Sequence, residues 1–444
     1  MKDISRRDFL KTAGVGAVAL GAAAACKPSS KKASGSSAQV SEGMPLRTNP
    51  NSGDKVSILG YGCMRWQMTQ GPDGRQVVDQ NSVNQLVDRA LEAGVNYFDT
   101  SPVYLQGQSE QAAGIALSRH PRNSYYIATK LSNMSNPSFE GSLEMYRSSF
   151  KNLQTDYIDY YLIHIVRDGA DWRRRAVDNG MMDFLVRERS AGRIRNLGLS
   201  VHPTRAGFDE VMTYHEKYHF DFCQIQMNYV DWYTGDAEYL YSELDKRGIP
   251  VVIMEPLLGG QLSSVPKVVA EQFKQREPDA SVASWAFRFC GTKPRVLTAL
   301  SGMTYMEHLE DNLKTFLHFK PLTDEEMDFL KEAAGLIKKY PLVPCTNCQY
   351  CMPCPYGIDI PGIFKHYNNA VNEGTVAQSS DEKEFKKLKK LYLTTYDKAI
   401  ASVRQADHCI SCNQCVPHCP QHIRIPRELR RIDNYVESLK QETL

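Results

Sequence analysis

The chain of 444 residues contains no apolar run of the ~20 residues that a bilayer-spanning helix requires. Its nearest candidate, Thr12–Ala25, stops well short. An excess of one charge is also missing. Lys and Arg number 53 against 51 Asp and Glu, a net +2, which excludes the broad basic field of a nucleic-acid binder. The local basic stretches Trp172–Arg175 and Lys383–Lys390 read as solvated faces. A Gly-x-Gly-x-x-Gly turn after an early strand is absent as well, which argues against an open, doubly wound nucleotide-binding sheet. What is present is 42% apolar and 23% charged, the balance of a globular protein with material for two or three domains. Cysteine is plentiful but uneven: of 12, eight lie between Cys345 and Cys419 in two tight runs. Cys63, Cys223 and Cys290 stand singly in the central region, where small buried hydrophobes are expected.

The N-terminus reads as an address. Ser5-Arg6-Arg7-Asp8-Phe9-Leu10-Lys11 precedes a short apolar segment ending in small residues, the layout of an export signal. The paired arginines before Phe-Leu-Lys resemble a twin-arginine translocation signal. That resemblance implies export of a folded protein with its cofactor loaded, to the periplasm or to a membrane anchor facing it. Ala23-Ala24-Ala25-Cys26 is similar to a lipoprotein cleavage box, which implies a lipid anchor at Cys26. Ala23 replaces the usual leucine, so plain cleavage after the alanines stays open. Lys27–Gly43 is too polar to pack and reads as a tether.

From Val56 onward, short β-prone runs alternate with amphipathic patterns. Strand candidates begin at Val56, Val95, Tyr125, Tyr157, Ile194, Phe222, Pro250 and Val296. Helical stretches such as Asn81–Ala93, Phe139–Leu153, Met181–Ser190 and Asp236–Arg247 lie between them. Eight such units predict an α/β fold, a closed (β/α)8 TIM barrel. Chemistry in such barrels sits at the C-terminal strand ends. There the candidates are Asp99, Lys130 and His164, one βα unit apart, with Tyr104 just beyond Asp99.

FDTSPVY (Phe98–Tyr104), GQSE (Gly107–Glu110), IATK (Ile127–Lys130), YLIH (Tyr161–His164), GLS (Gly198–Ser200), QIQMNY (Gln224–Tyr229) and EDNL (Glu310–Leu313) follow in order. Together they resemble the aldo-keto reductase superfamily, whose catalytic tetrad is filled by Asp99, Tyr104, Lys130 and His164. The resemblance implies reversible carbonyl reduction with a nicotinamide hydride. Tyr104 would be the acid and base, Lys130 would lower its pKa, Asp99 would hold Lys130, and His164 would orient the substrate oxygen. Ser200 and Gln224 would hold the nicotinamide carboxamide, and Asn312 would lie near the adenine. Met254 stands where the family often stacks a tyrosine. Gly302 and His308 fall where basic contacts to a 2′-phosphate are usual, so NAD becomes the better candidate of NAD(P), with a tightly held nucleotide or another electron source still open. Trp66, Tyr229, Trp232 and Tyr233 suggest aromatic walls for a flat or sugar-like ligand, or ordinary packing.

Cys345, Cys348, Cys351 and Cys354 form C-x2-C-x2-C-x2-C-P, and Cys409, Cys412, Cys415 and Cys419 form C-x2-C-x2-C-x3-C-P. The second is the bacterial ferredoxin run, whose fourth cysteine serves the other cluster. Mutual exchange would give two 4Fe-4S clusters, one on Cys345, Cys348, Cys351 and Cys419, the other on Cys409, Cys412, Cys415 and Cys354. The first run is one residue short, which threatens the placing of Cys354. The long spacer reads as helical over Ile363–Asn372 and Glu382–Arg404, closer to helical ferredoxins. Zinc and disulfides are the competing readings, but zinc favours separated CxxC pairs, and disulfides at this spacing would strain their loops.

The expected divisions are a signal at 1–26, a linker and barrel entry at 27–55, and the barrel at 56–320. A connecting helix at 321–344 and a small, mainly helical, ferredoxin-like iron–sulfur domain at 345–444 follow. Two functions fit: an exported oxidoreductase acting on a small carbonyl or alcohol, with clusters wired to a membrane electron-transfer partner; or a barrel without turnover, serving as a ligand-binding or electron-carrier protein.

Overall fold

Eight of the short β-prone runs close into a ring in the computed structural model, which describes residues 43–444. The segment read as an export signal, Cys26 and nearly all of the expected tether lie outside the described residues. Strands β1 (Leu59–Gly62), β2 (Tyr97–Asp99), β3 (Tyr126–Leu131) and β4 (Ile158–Val166) lead into β5 (Ile194–Val201), β6 (Phe222–Gln226), β7 (Val251–Met254) and β8 (Val296–Ser301). Each is parallel to its sequence neighbour, and β8 returns to β1 with Ala299 opposite Leu59. Closure leaves no open sheet edge.

Side-chain alternation divides the strands' work. Inward residues Tyr97, Tyr160 and Phe222 pack edge to face, with centroids 5.0 Å apart in each pair. With Val252, Leu297 and Leu300 they plug the barrel. Outward residues such as Ile163, Leu199 and Ile225 bury against the helices. Helices α1 (Gln80–Glu92), α2 (Phe139–Leu153), α3 (Met181–Ser190) and α4 (Ala237–Lys246) match the predicted stretches to within one residue at each end. In α1, Val83, Leu86, Val87 and Ala90 form the buried stripe, and the Asp79 carboxylate accepts from the N–H groups of Asn81 and Ser82 at its start. The single cysteines Cys63, Cys223 and Cys290 are fully buried, as expected.

Helix α5 (Met306–Leu317) follows β8, and α6 (Asp324–Ile337) begins with a capping box between Thr323 and Glu326. The cysteine-rich part adds α7 (Ile360–Asn372), α8 (Phe385–Ala399) and α9 (Ile425–Gln441). They bury Phe364, Tyr392, Tyr396, Ile432 and Val436 in a core of their own. The spacer is helical as predicted, although α8 is shorter than the expected Glu382–Arg404 because the chain turns at Ile400 and again over Ser402–Arg404. Among the described residues no helix is long and apolar enough to cross a membrane.

Candidate active site and cysteine loops

Strand register sets the site. Asp99 ends β2 opposite Gly62 and Ala128, and Lys130 on β3 stands opposite Leu162. Lys130 Nζ donates to Asp99 Oδ1 at 2.6 Å and to the Thr100 carbonyl at 2.8 Å, with both charged side chains buried. Tyr104 follows β2 in a tight turn where Leu105 and Gln106 take left-handed backbone, uncommon outside glycine. The turn brings the Tyr104 ring within 4.8 Å of Lys130 Nζ, and edge-on to His164 at 5.7 Å between centroids. All four predicted residues therefore meet at one mouth of the barrel.

The electrostatics differ from expectation in one respect. Lys130 was expected to lower the Tyr104 pKa. Burial instead pushes that phenol well above its ordinary value, reinforced by Tyr350, Asp99 and Glu255. The ammonium lies over the ring, 4.8 Å from its centroid. Burial lowers the Lys130 pKa against the pull of Asp99, and raises that of Asp99 against the pull of Lys130. His164 is held well below its usual value by burial, then by Lys130, Arg175 and His202, so its ring is neutral near pH 7.

Three supporting residues were missed in the sequence. Ser132 Oγ lies 2.6 Å from His164 Nδ1, and Ser101 Oγ lies 2.8 Å from Ser132 Oγ. Ser132 and Ser101 each follow a tetrad residue by two positions, just beyond the ends of β3 and β2, and that spacing was the signal that could have found them. Arg175 corrects the reading of Trp172–Arg175 as a solvated face. Its side chain is fully buried, donates to the His164 carbonyl at 2.6 Å, and pairs with Asp171 at 3.0 Å. Trp172 beside it is also fully buried; Arg173 and Arg174 do face solvent.

A cavity of about 660 Å³ opens at this mouth, lined by Asp99, Tyr104 and His164, then by Gln224, Met254 and Asn312. Ser200 pairs with Gln224 in register but lies behind the lining, its hydroxyl 3.9 Å from Met254 Sδ. The Gln224 carbonyl oxygen is buried without a partner, an acceptor suited to a carboxamide N–H. Asn312 is fixed by donating to Ser301 Oγ at 2.8 Å. Gly302 and His308 also line the cavity, together with the carboxylates of Glu307 and Asp311. The suggested aromatic walls are core instead. Trp66 packs on Tyr61, while Tyr229, Trp232 and Tyr233 pack around Phe289, because large rings between strands and helices bury more apolar area than a cavity rim allows.

The cysteines gather in two sets. Cys345, Cys348, Cys351 and Cys419 line one small cavity, and Cys354, Cys409, Cys412 and Cys415 another. Cys354 thus reaches the second set despite the shorter spacing. Asn347, Gln349, Ser411 and Asn413 within the loops take positive φ, a backbone pattern that turns N–H groups inward around an anionic group. Among the described residues no three His, Cys, Asp or Glu converge as one bare ion requires. Thiolates spaced around a cavity suit a cubane better than a single zinc.

Comparison with known proteins agrees with this geometry. The aldo/keto reductase family model matches residues 58–334, and the 4Fe-4S dicluster domain model matches residues 344–424. An uncharacterized oxidoreductase of Bacillus subtilis (strain 168) is 23% identical over 308 residues, 62% of this chain and 92% of that protein. L-galactose dehydrogenase of Arabidopsis thaliana is 24% identical over 317 residues, 66% of this chain and 94% of that protein. The holo form of an aldo-keto reductase from Bacillus halodurans superposes with a TM-score of 0.53 at 25% identity, covering 65% of this chain and 96% of that one. An aldo-keto reductase from Klebsiella pneumoniae in complex with NADPH shares the fold at 18% identity and a TM-score of 0.53, covering 66% of this chain and 95% of that one. The chain belongs to the aldo/keto reductase family, as an oxidoreductase barrel with a 4Fe-4S ferredoxin-type domain C-terminal to it.

Proposed function

We propose that the protein is an exported carbonyl reductase in which Tyr104 delivers the proton and two 4Fe-4S clusters relay electrons. The observation that carries the reading is the meeting of Asp99, Tyr104, Lys130 and His164 beside the unpartnered Gln224 carbonyl. A bound nicotinamide supplies the hydride. Gln224 would hold its carboxamide, Met254, with Ser200 behind it, would cover its ring, and Asn312 would lie near the adenine.

The chain's own groups handle the charge that forms on the substrate oxygen. With the Ser132 hydroxyl donating to Nδ1, a neutral His164 would carry its proton on Nε2 and offer it to the substrate oxygen as a hydrogen bond. Burial keeps Tyr104 protonated, the form that a proton donor to the substrate oxygen starts from. Lys130 offsets negative charge as the phenol gives up its proton. Glu307 and Asp311 would repel a 2′-phosphate, and Arg65 is engaged with the carbonyls of Thr346 and Asn347; both support NAD over NADP.

The two cysteine sets support one cluster on Cys345, Cys348, Cys351 and Cys419 and a second on Cys354, Cys409, Cys412 and Cys415. The arginine pair Arg6-Arg7 supports twin-arginine export to the periplasm, and Cys26 supports a lipid anchor there. A membrane-bound one-electron carrier is the partner chemistry such a location and such clusters require.

The test is anaerobic purification with iron and sulfide assay, followed by NADH and NADPH consumption against a panel of aldehydes and ketones. About eight irons per chain and carbonyl-dependent NADH oxidation that Tyr104→Phe lowers ~100-fold at constant iron are expected. Equal rates in the two proteins overturn the reading and favour the carrier alternative.

A further inference from the structure

The barrel's cavity is not closed by the barrel alone. Thr346, Cys348 and Tyr350, all from the first cysteine run, line the cavity that holds Tyr104 and His164. The Tyr350 ring stands edge-on to His164 at 6.4 Å between centroids, on the same imidazole that meets Tyr104 at 5.7 Å. Thr346, Cys348 and Gln421 line both this cavity and the first cysteine cavity, so one layer of side chains separates them.

The loop is seated by specific contacts. Arg65, just beyond β1, donates to the carbonyls of Thr346 and, at 2.8 Å, Asn347. Gln261 Nε2 donates to the Cys345 carbonyl at 3.0 Å. Gln226 and Gln421 exchange amide hydrogen bonds at 3.0 and 2.8 Å. Gly259 has a left-handed φ of +67°, and a Cβ there would lie 2.3 Å from Thr346 Cα, so only glycine admits the loop this close.

We infer that Tyr350 is a substrate-contacting residue and that the first cysteine loop is the outer wall of the catalytic cavity. The site is then completed by the iron–sulfur domain, and its specificity is set there. Three rings, those of Tyr104, His164 and Tyr350, border the space, so the fitting substrate is a carbonyl compound carrying a flat ring. This rests on the reductase reading above, and the test separates the two.

The probe is 4-nitrobenzaldehyde, titrated calorimetrically into cluster-loaded protein with saturating NAD+, which cannot donate a hydride. Binding is thus read without turnover. Tyr350→Ala and Tyr350→Leu should weaken binding about tenfold, the upper range for one aromatic contact. Tyr350→Phe should stay within about threefold of wild type. Iron content and NAD+ affinity should not change in any variant. In NADH-driven reduction the same loss should fall on KM and not on kcat. Wild-type affinity in both truncated variants at full iron content overturns the inference even if the enzyme turns over. Weakened binding with no turnover of any carbonyl in wild type leaves the wall standing and overturns the reductase reading.

Discussion

Ser132 Oγ lies 2.6 Å from His164 Nδ1, and Ser101 Oγ lies 2.8 Å from Ser132 Oγ, so a two-serine chain anchors one edge of the imidazole. Ser132→Ala should lower kcat/KM about tenfold with little change in melting temperature, as expected for a lost positioning bond of about 1.4 kcal/mol. Ser132→Thr, which keeps the hydroxyl, should restore most of it. Steady-state kinetics of the two variants decide the matter, and equal loss in both would count against the tautomer argument.

Arg175 braces the backbone that carries His164. Arg175→Met removes a buried donor from the His164 carbonyl and leaves Asp171 without this partner. A destabilisation of about 1–3 kcal/mol is expected from the unsatisfied buried acceptor, since Asp171 is partly exposed and keeps Arg174 as a partner. Urea denaturation followed by circular dichroism measures it. Arg174→Met, on an exposed neighbour, should change stability by less than about 0.5 kcal/mol.

Asp99 and Lys130 are buried together, so breaking one half is worse than replacing both. Asp99→Asn should cost about 3 kcal/mol, because it leaves a buried ammonium without its counter-charge. Asp99→Leu combined with Lys130→Met should cost less than the sum of the two single changes. A double-mutant cycle by denaturation reads the difference.

The pH behaviour follows from two directions of shift. Tyr104 is raised by burial and remains the acid form throughout the neutral and mildly alkaline range, so kcat for reduction should be flat from about pH 7 to pH 9.5. His202 is lowered to about 3, chiefly by burial, and His164 also lies well below its usual value. Their folded forms stay neutral while the unfolded chain takes up protons near pH 6.5. Stability is therefore full above that value and is lost as pH falls toward about 3. The loss is at most about 1.4 kcal/mol per pH unit for each histidine. His202→Gln should flatten the slope of denaturation midpoint against pH below 6.5.

The cysteine pairing makes a spectroscopic prediction. Cys419→Ser should perturb the same cluster as Cys345→Ser, and Cys354→Ser the same cluster as Cys409→Ser. Each loss should reduce iron from about eight to about four per chain. Electron paramagnetic resonance of the reduced variants should show the matching signal missing within each pair. If Cys354→Ser instead matched Cys345→Ser, each run would hold its own cluster.

The barrel was legible from the sequence because its information is local. Short apolar β-prone runs such as Tyr97–Asp99 and Tyr126–Leu131 and period-3.6 helices such as Phe139–Leu153 each carry their pattern within a few residues, and closure follows from eight repeats. The run from Val56 splits, its start pairing with Leu46–Thr48 and only Leu59–Gly62 joining the barrel. The tetrad was legible for a related reason: residues at successive strand ends must converge once the barrel closes. The cysteine spacing likewise announced clusters before any fold was known. The rest depended on distance in sequence. Whether Arg175 faced water or braced His164, and whether Trp232 lined a cavity or filled the core, turned on which helix packed over which strand. The pKa of Tyr104 depended on how much water the closed mouth excludes, a property of the whole cavity. Only the tertiary structure brought Tyr350 to His164, across 186 residues of chain, because that contact exists only where the cysteine-rich part seats on the barrel. The sequence alone determined the parts and their chemistry; packing decided that two parts share one site.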